Sequence, residues 1–192
     1  SGIFELGSTF KTITIAGALD SGLVRMRDTF DARFGIRFGR FTIDDFHGKH
    51  RVLSLPEVYK YSSNVGTIRI MQQWGKDNFR AFLTKLGFDK RVPFELPEMR
   101  DPTVPTKWPE IVAATASFGH GLSISPLHQT AAYAAFVNDG CLLTPTIYKR
   151  SEAEAKTLCT NVISPKTSQQ IRYLMRLNAL DGSGSRMNKE AA

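Results

Sequence analysis

Ser8 and Lys11 stand three residues apart in the stretch Gly7-Ser8-Thr9-Phe10-Lys11. On a helix that spacing puts a hydroxyl and an amine on one face, a turn apart. A serine hydroxyl is a weak nucleophile until a neighbouring base takes its proton. An amine can be that base once it is neutral, which needs burial or nearby positive charge to depress its pKa. Apolar neighbours such as Phe10 supply the burial, and the positive end of a helix favours an oxyanion formed at Ser8. A Ser-x-x-Lys match arises about once by chance in a chain this long, so the pair alone is weak.

Ser62-x-Asn64 is a second candidate, in the break Tyr61-Ser62-Ser63-Asn64 between two helical runs. A hydroxyl there can pass a proton between the lysine and a leaving group, and an amide can hold a lysine and a carbonyl. The plain alternative is a turn, which Ser and Asn favour through local backbone bonds. Phe118-Gly119-His120-Gly121 is a third. Its glycines permit positive φ and close backbone approach, either as a loop against a cleft floor or as a turn before the next helix. His120 has no carboxylate partner specified by spacing and is given no catalytic role.

The elements that must position these groups follow from periodicity and caps. Phe10, Ile13 and Ala16-Gly17 recur at helical spacing up to Asp20-Ser21-Gly22, so Ser8 opens a largely buried helix. Phe34, Ile36 and Phe38, a Gly39-Arg40 turn, then Phe41 and Ile43 predict a hairpin. Ser54 and Glu57 fit a capping box for a helix to about Lys60. Helical runs follow from Val65 to Trp74 and from Asp77 to Leu86, the latter stopped by Gly87. Residues 92–109 hold five of the nine prolines and read as irregular loop. Ser125-Pro126 and Ser164-Pro165 open two further helices. No internal repeat or linker divides the chain.

Composition limits the remaining classes. The 192 residues are 42% apolar and 22% charged, ordinary for a globular protein. No run of about 18 apolar residues occurs, so no membrane span is read. The formal charge of +7 is scattered rather than striped with aromatics, which argues against a nucleic-acid partner. Four histidines match no zinc spacing, so no metal is expected, and no other cofactor is read. Cys141 and Cys159 are read as two unpaired thiols ahead of a bridge, because nothing in the sequence sets their distance.

Taken together, Glu5-Leu6-Gly7-Ser8-Thr9-Phe10-Lys11, Tyr61-Ser62-Ser63-Asn64-Val65-Gly66 and Ala116 to Leu127, running on to Asn138-Asp139-Gly140, resemble the transpeptidase domain of class B penicillin-binding proteins. The likeness covers the whole chain, 1–192, as a partial transpeptidase domain. Asp45-Phe46-His47-Gly48 and Leu55-Pro56-Glu57-Val58 look most like the septal, cell-division branch. The resemblance implies an α/β (α+β) fold of β-lactamase/transpeptidase type, here mainly its helical part with an incomplete central antiparallel sheet. It implies that Ser8 attacks a D-alanyl-D-alanine stem peptide, that Lys11 takes its proton, and that Ser62 and Asn64 pass protons and hold Lys11 and substrate. Ser63, Gly119 and Gly121 are carried over as substrate-binding. Implied partners are peptidoglycan stem peptides, β-lactams and cell-division membrane proteins. The implied location is the periplasmic side of an inner membrane to which the full-length protein is anchored.

One departure is large. No Lys-Thr-Gly or Lys-Ser-Gly triplet occurs, and Lys166-Thr167-Ser168 falls in a predicted helix's first turn. The chain is therefore expected to stop before that strand, to lack the upstream domain and anchor, and to be inactive and aggregation-prone alone. A hydrolase using the same residues (a β-lactamase or carboxypeptidase) and a non-catalytic sensor or scaffold of the same fold remain alternatives.

Overall fold

The computed structural model describes residues 2–186. A 3₁₀ turn, Gly7–Phe10, runs directly into α1, Lys11–Asp20, with the Lys11 N–H donating to the Ser8 carbonyl. Thr12, Ile13, Thr14 and Ile15 are poor helix formers on their own. Burial compensates: nine of the ten residues of α1 are buried. Its surroundings are α3 (Asn64–Trp74), α4 (Lys76–Lys85), α6 (Pro126–Val137) and α8 (Pro165–Asp181). Gly17 makes that approach possible, since a Cβ there would lie 2.4 Å from Trp74 and 2.5 Å from Phe82. α1 is thus the central rod of a helical layer, and whatever sits at its N-terminus is held by a helix buried along nearly its whole length.

The predicted caps are present. Ser54 and Glu57 form the reciprocal box that starts α2, Leu55–Lys60, while Ser125 and Ser164 cap α6 and α8. Two helices escaped the sequence reading. α5, Glu110–Ser117, starts behind Pro109 with no side-chain cap, and α7, Glu152–Thr157, starts at a Ser151–Glu154 capping box. Residues 92–109 hold no helix or strand beyond the single bridge Thr103–Ser123.

The strands make three two-stranded antiparallel ribbons. β1 (Thr29–Asp31) pairs with β4 (Val52–Ser54), and β2 (Ile36–Phe38) with β3 (Phe41–Ile43) across the predicted Gly39-Arg40 turn. β5 (Cys141–Leu142) pairs with β6 (Thr160–Asn161). The fold is α+β and mainly helical, as expected. The reading of the cysteines needs correction: Cys141 and Cys159 form a disulfide, Cα atoms 5.3 Å apart. The pairing of β5 with β6, invisible in the spacing, brings them together.

Lys166-Thr167-Ser168 does lie in the first turn of α8. The Thr167 hydroxyl donates to Asp20 and that of Ser168 to the Phe136 carbonyl, so both are spent on packing.

Candidate active site

The turn that carries Ser8 is pinned from behind. Phe4 and Ile124 exchange both backbone bonds, at 3.0 and 3.1 Å, and Gly7 N–H donates to the Gly119 carbonyl at 3.4 Å. Glu5 accepts from Gly121 N–H at 2.8 Å and contacts His120 at 3.2 Å, and these bonds, the Gly121 one foremost, hold its carboxyl below the usual range. Gly119 has φ +89°, and a Cβ there would lie 2.2 Å from the Gly7 carbonyl oxygen. Gly119 and Gly121 therefore clamp the segment leading into Ser8; they do not line the cleft in front of it. His120 finds in Glu5 a partner that spacing did not reveal, and neither residue lines that cleft.

Ser8 is exposed and faces a cleft of about 250 Å³ together with Ser62 and Asn64. Lys11, one turn deeper, is 3% exposed. Its Nζ donates to the Ser62 hydroxyl at 2.9 Å and to the Ser62 carbonyl at 2.5 Å. Burial pulls its pKa down to about 8, against the opposing charge of Asp45. An amine so placed is neutral in a large fraction of molecules at mildly alkaline pH, as a base must be. Tyr133 stiffens the wall behind, donating to the Thr9 carbonyl and bonded to the Thr12 hydroxyl, and burial pushes its phenol up to about 12.

Ser62 reaches Lys11 through an unusual backbone. Its φ is +54°, a left-handed conformation that costs a non-glycine residue roughly 1–2 kcal/mol. That conformation follows the last turn of α2, where Ser62 and Ser63 N–H groups donate to the Tyr59 and Val58 carbonyls. Ser63 caps α3: its hydroxyl accepts from Gly66 N–H at 2.8 Å and donates to Asp45 at 2.6 Å. Its one donor is thus already engaged inside the protein. The Asn64 amide donates to the Asp44 carbonyl at 3.5 Å, while the lysine's bonds run to Ser62. Ser183, in the Gly-rich turn after α8, closes another edge of the cleft.

Asp45 is the site residue that sequence reasoning missed. It touches the Ser62–Asn64 bend from eighteen residues away, and no spacing rule covers that contact. A wider recess of about 310 Å³ lies near the end of α4 and holds His128, but the ring nitrogens of that residue are engaged by Ser125 and the Lys90 carbonyl. Among the described residues no cluster of His, Cys, Asp or Glu could hold a metal.

The family model for the penicillin binding protein transpeptidase domain matches residues 1–191. A probable peptidoglycan D,D-transpeptidase FtsI of Caulobacter vibrioides is 38% identical over 95% of this chain and 31% of its own length. The stage V sporulation protein D of Bacillus subtilis is 31% identical over 94% of this chain and 30% of its own. The chain thus spans about a third of the length of the curated relatives it matches. Among solved structures, the transpeptidase domain of Burkholderia pseudomallei penicillin-binding protein 3 superposes with a TM-score of 0.85 at 28% identity, covering 93% of this chain and 54% of that one. Penicillin-binding protein 3 of Mycobacterium tuberculosis, solved with aztreonam, gives 0.81 at 27% identity over 93% of this chain and 42% of its own.

Proposed function

We propose, for a chain that belongs to the penicillin-binding protein transpeptidase domain family, that it carries the nucleophile side of a peptidoglycan D,D-transpeptidase site working through a serine acyl-enzyme. The observation that carries this reading is the buried Lys11 amine, bonded to the Ser62 hydroxyl at 2.9 Å and one turn behind an exposed Ser8. Neutral Lys11 takes the Ser8 proton as Ser8 Oγ bonds to the penultimate D-alanine carbonyl carbon of a stem peptide. The C–N bond to the terminal D-alanine breaks, and the proton passes from Lys11 through Ser62 to the departing amine. An amine of a neighbouring stem peptide then attacks the ester, forms the cross-link and returns a proton to Ser8. Asn64 is assigned to hold the substrate's amide. Ser63, Gly119 and Gly121 are assigned supporting roles, the glycines through the Ser8 turn. β-Lactams acylate the same hydroxyl and leave slowly.

Likeness to a probable peptidoglycan D,D-transpeptidase supports transfer over hydrolysis. The resemblance of Asp45-Phe46-His47-Gly48 and Leu55-Pro56-Glu57-Val58 to the septal branch is the ground for proposing division-linked wall synthesis, on the periplasmic face of an anchored protein. Division membrane proteins are proposed as its partners. Among the described residues no helix is long and apolar enough to cross a membrane.

The test uses the full-length parent protein and a fluorescent penicillin. The parent should acquire a stable label, Ser8→Ala none, and Lys11→Ala should acylate slower by about 10²–10⁴-fold. Labelling of Ser8→Ala, or rapid release of hydrolysed penicillin by the parent, would refute the assignment.

A further inference from the structure

Asp45 lies outside the three motifs that carry the chemistry, yet both its oxygens grip the bend between α2 and α3. Oδ2 accepts from the Ser63 hydroxyl at 2.6 Å, and Oδ1 accepts from Val65 N–H at 2.9 Å. Those two residues flank Asn64, and Ser63 follows the left-handed Ser62 whose hydroxyl and carbonyl both meet Lys11. A bend in a disfavoured conformation persists only where its surroundings hold it. On the α2 side ordinary backbone bonds do so; on the α3 side the two bonds to Asp45 and the Ser63 cap do so. The preceding Asp44 carbonyl accepts from Asn64, so the segment after β3 straps the whole bend.

The charge of Asp45 is also well placed. It is the one carboxylate among the described residues that line the cleft, where the same segment contributes His47 and Lys49 and the end of α2 contributes Tyr61. α3 contributes Asn64 to the lining, and α4 and α8 no ionisable group. Behind Lys11, the Tyr59 and Tyr133 hydroxyls both bond to Thr12.

We propose that Asp45 is the positioning residue of this site: its carboxylate locks the Ser62–Val65 bend against Lys11 and sets a negative charge beside the bend that meets the amine. The inference rests on the acyl-transfer reading above and adds to it a part for a residue outside its motifs. Two separable effects follow. Holding the bend keeps Ser62 in register with Lys11, and the charge favours the protonated amine, opposing burial.

The experiment measures the acylation rate constant of the full-length protein with a fluorescent penicillin from about pH 6 to about pH 10, alongside thermal melting. Asp45→Asn keeps the shape and removes the charge. It should lower the plateau rate by up to roughly 100-fold, the scale of a slightly misplaced catalytic group, and move the rising limb to lower pH. Ser63→Ala removes one strap bond together with the α3 cap and leaves the charge; it should lower the plateau with the limb unmoved. Asp45→Glu should restore the limb. An Asp45→Asn protein with the parent's plateau and limb overturns the inference, as does a lowered plateau with an unmoved limb. Should Asp45→Asn melt at once, Ser63→Ala decides by its plateau, and a plateau equal to the parent's overturns the inference. Ser8→Ala runs beside them: if it labels, the acyl-transfer reading itself has failed, whereas a silent Ser8→Ala with a parent-like Asp45→Asn removes Asp45 alone.

Discussion

Lys11 is an expensive residue to bury, and that expense is what makes it useful. Depression of its pKa from 10.5 to about 8 corresponds to roughly 3 kcal/mol of folding free energy lost below pH 8. The sign follows from proton counts. Between about pH 8 and about 10.5 the unfolded chain holds this proton and the folded chain does not, so stability from this group rises with pH across that window. Below pH 8 both states are protonated and the penalty is constant. Lys11→Met keeps the apolar stem and removes the charge, leaving cleft water to solvate Ser62. In the full-length protein this variant should therefore melt higher than the parent at pH 7, and its advantage should shrink toward pH 10. Denaturation at the two pH values checks this; a variant less stable at pH 7 would mean the bonds to Ser62 outweigh the burial. At this scale the sequence was legible where one helical turn did the work, as for Ser8 and Lys11. It was silent on Asp45, whose contact with Ser63 exists only because the chain after the β2–β3 hairpin folds back over the start of α3.

Elements were legible where a local rule set their boundary. The Ser54–Glu57 box, the Ser125 and Ser164 caps and the Gly39-Arg40 turn each act within about four residues and fall where expected. α5 was missed because its small residues are helical by virtue of packing on α3, behind a proline with no capping side chain. β1 and β4 were missed because Phe30 faces Leu53 across an intervening hairpin, a pairing that periodicity in three-residue strands cannot signal. The glycines after α5 give an element-scale prediction. Gly119 and Gly121 both have positive φ, so alanine at either is strained by about 1 kcal/mol. At Gly119 the new Cβ also meets the Gly7 carbonyl at 2.2 Å, whereas at Gly121 the nearest atom is Thr115 Oγ1 at 3.8 Å. Gly119→Ala should push the Gly7-Ser8 turn away from α5, lowering both the melting temperature and the rate of penicillin acylation. Gly121→Ala should lower stability modestly and acylate near the parent rate. Equal effects on acylation would show that the backbone approach at Gly7 does not set the position of Ser8.

Over the whole molecule, the buried rod α1 ties the active-site turn to a core built from every major helix, while the periphery is stapled separately. The Cys141–Cys159 bridge closes a loop with a sequence separation of 18 that holds β5 and α7, with β6 directly after Cys159. Nothing in the sequence sets the distance between the two cysteines, so the sequence reading ranks free thiols first; tertiary pairing of two very short strands decides otherwise, and such pairing is the kind of fact a single sequence hides. A crosslink over a loop of this length restricts the unfolded chain by roughly 3 kcal/mol in the chain-entropy account. None of residues 141–161 lines the cleft in front of Ser8. The double variant Cys141→Ser/Cys159→Ser in the full-length protein should therefore lose backbone protection in hydrogen exchange across 141–161, with the Lys11–Leu19 amides and the penicillin acylation rate left as in the parent. Loss of protection in α1 as well would mean that the staple supports the core rather than its edge. The turn that carries Ser8 would then depend on an oxidising compartment, because reduction of one peripheral bond would loosen the helix on which Ser8 and Lys11 are mounted.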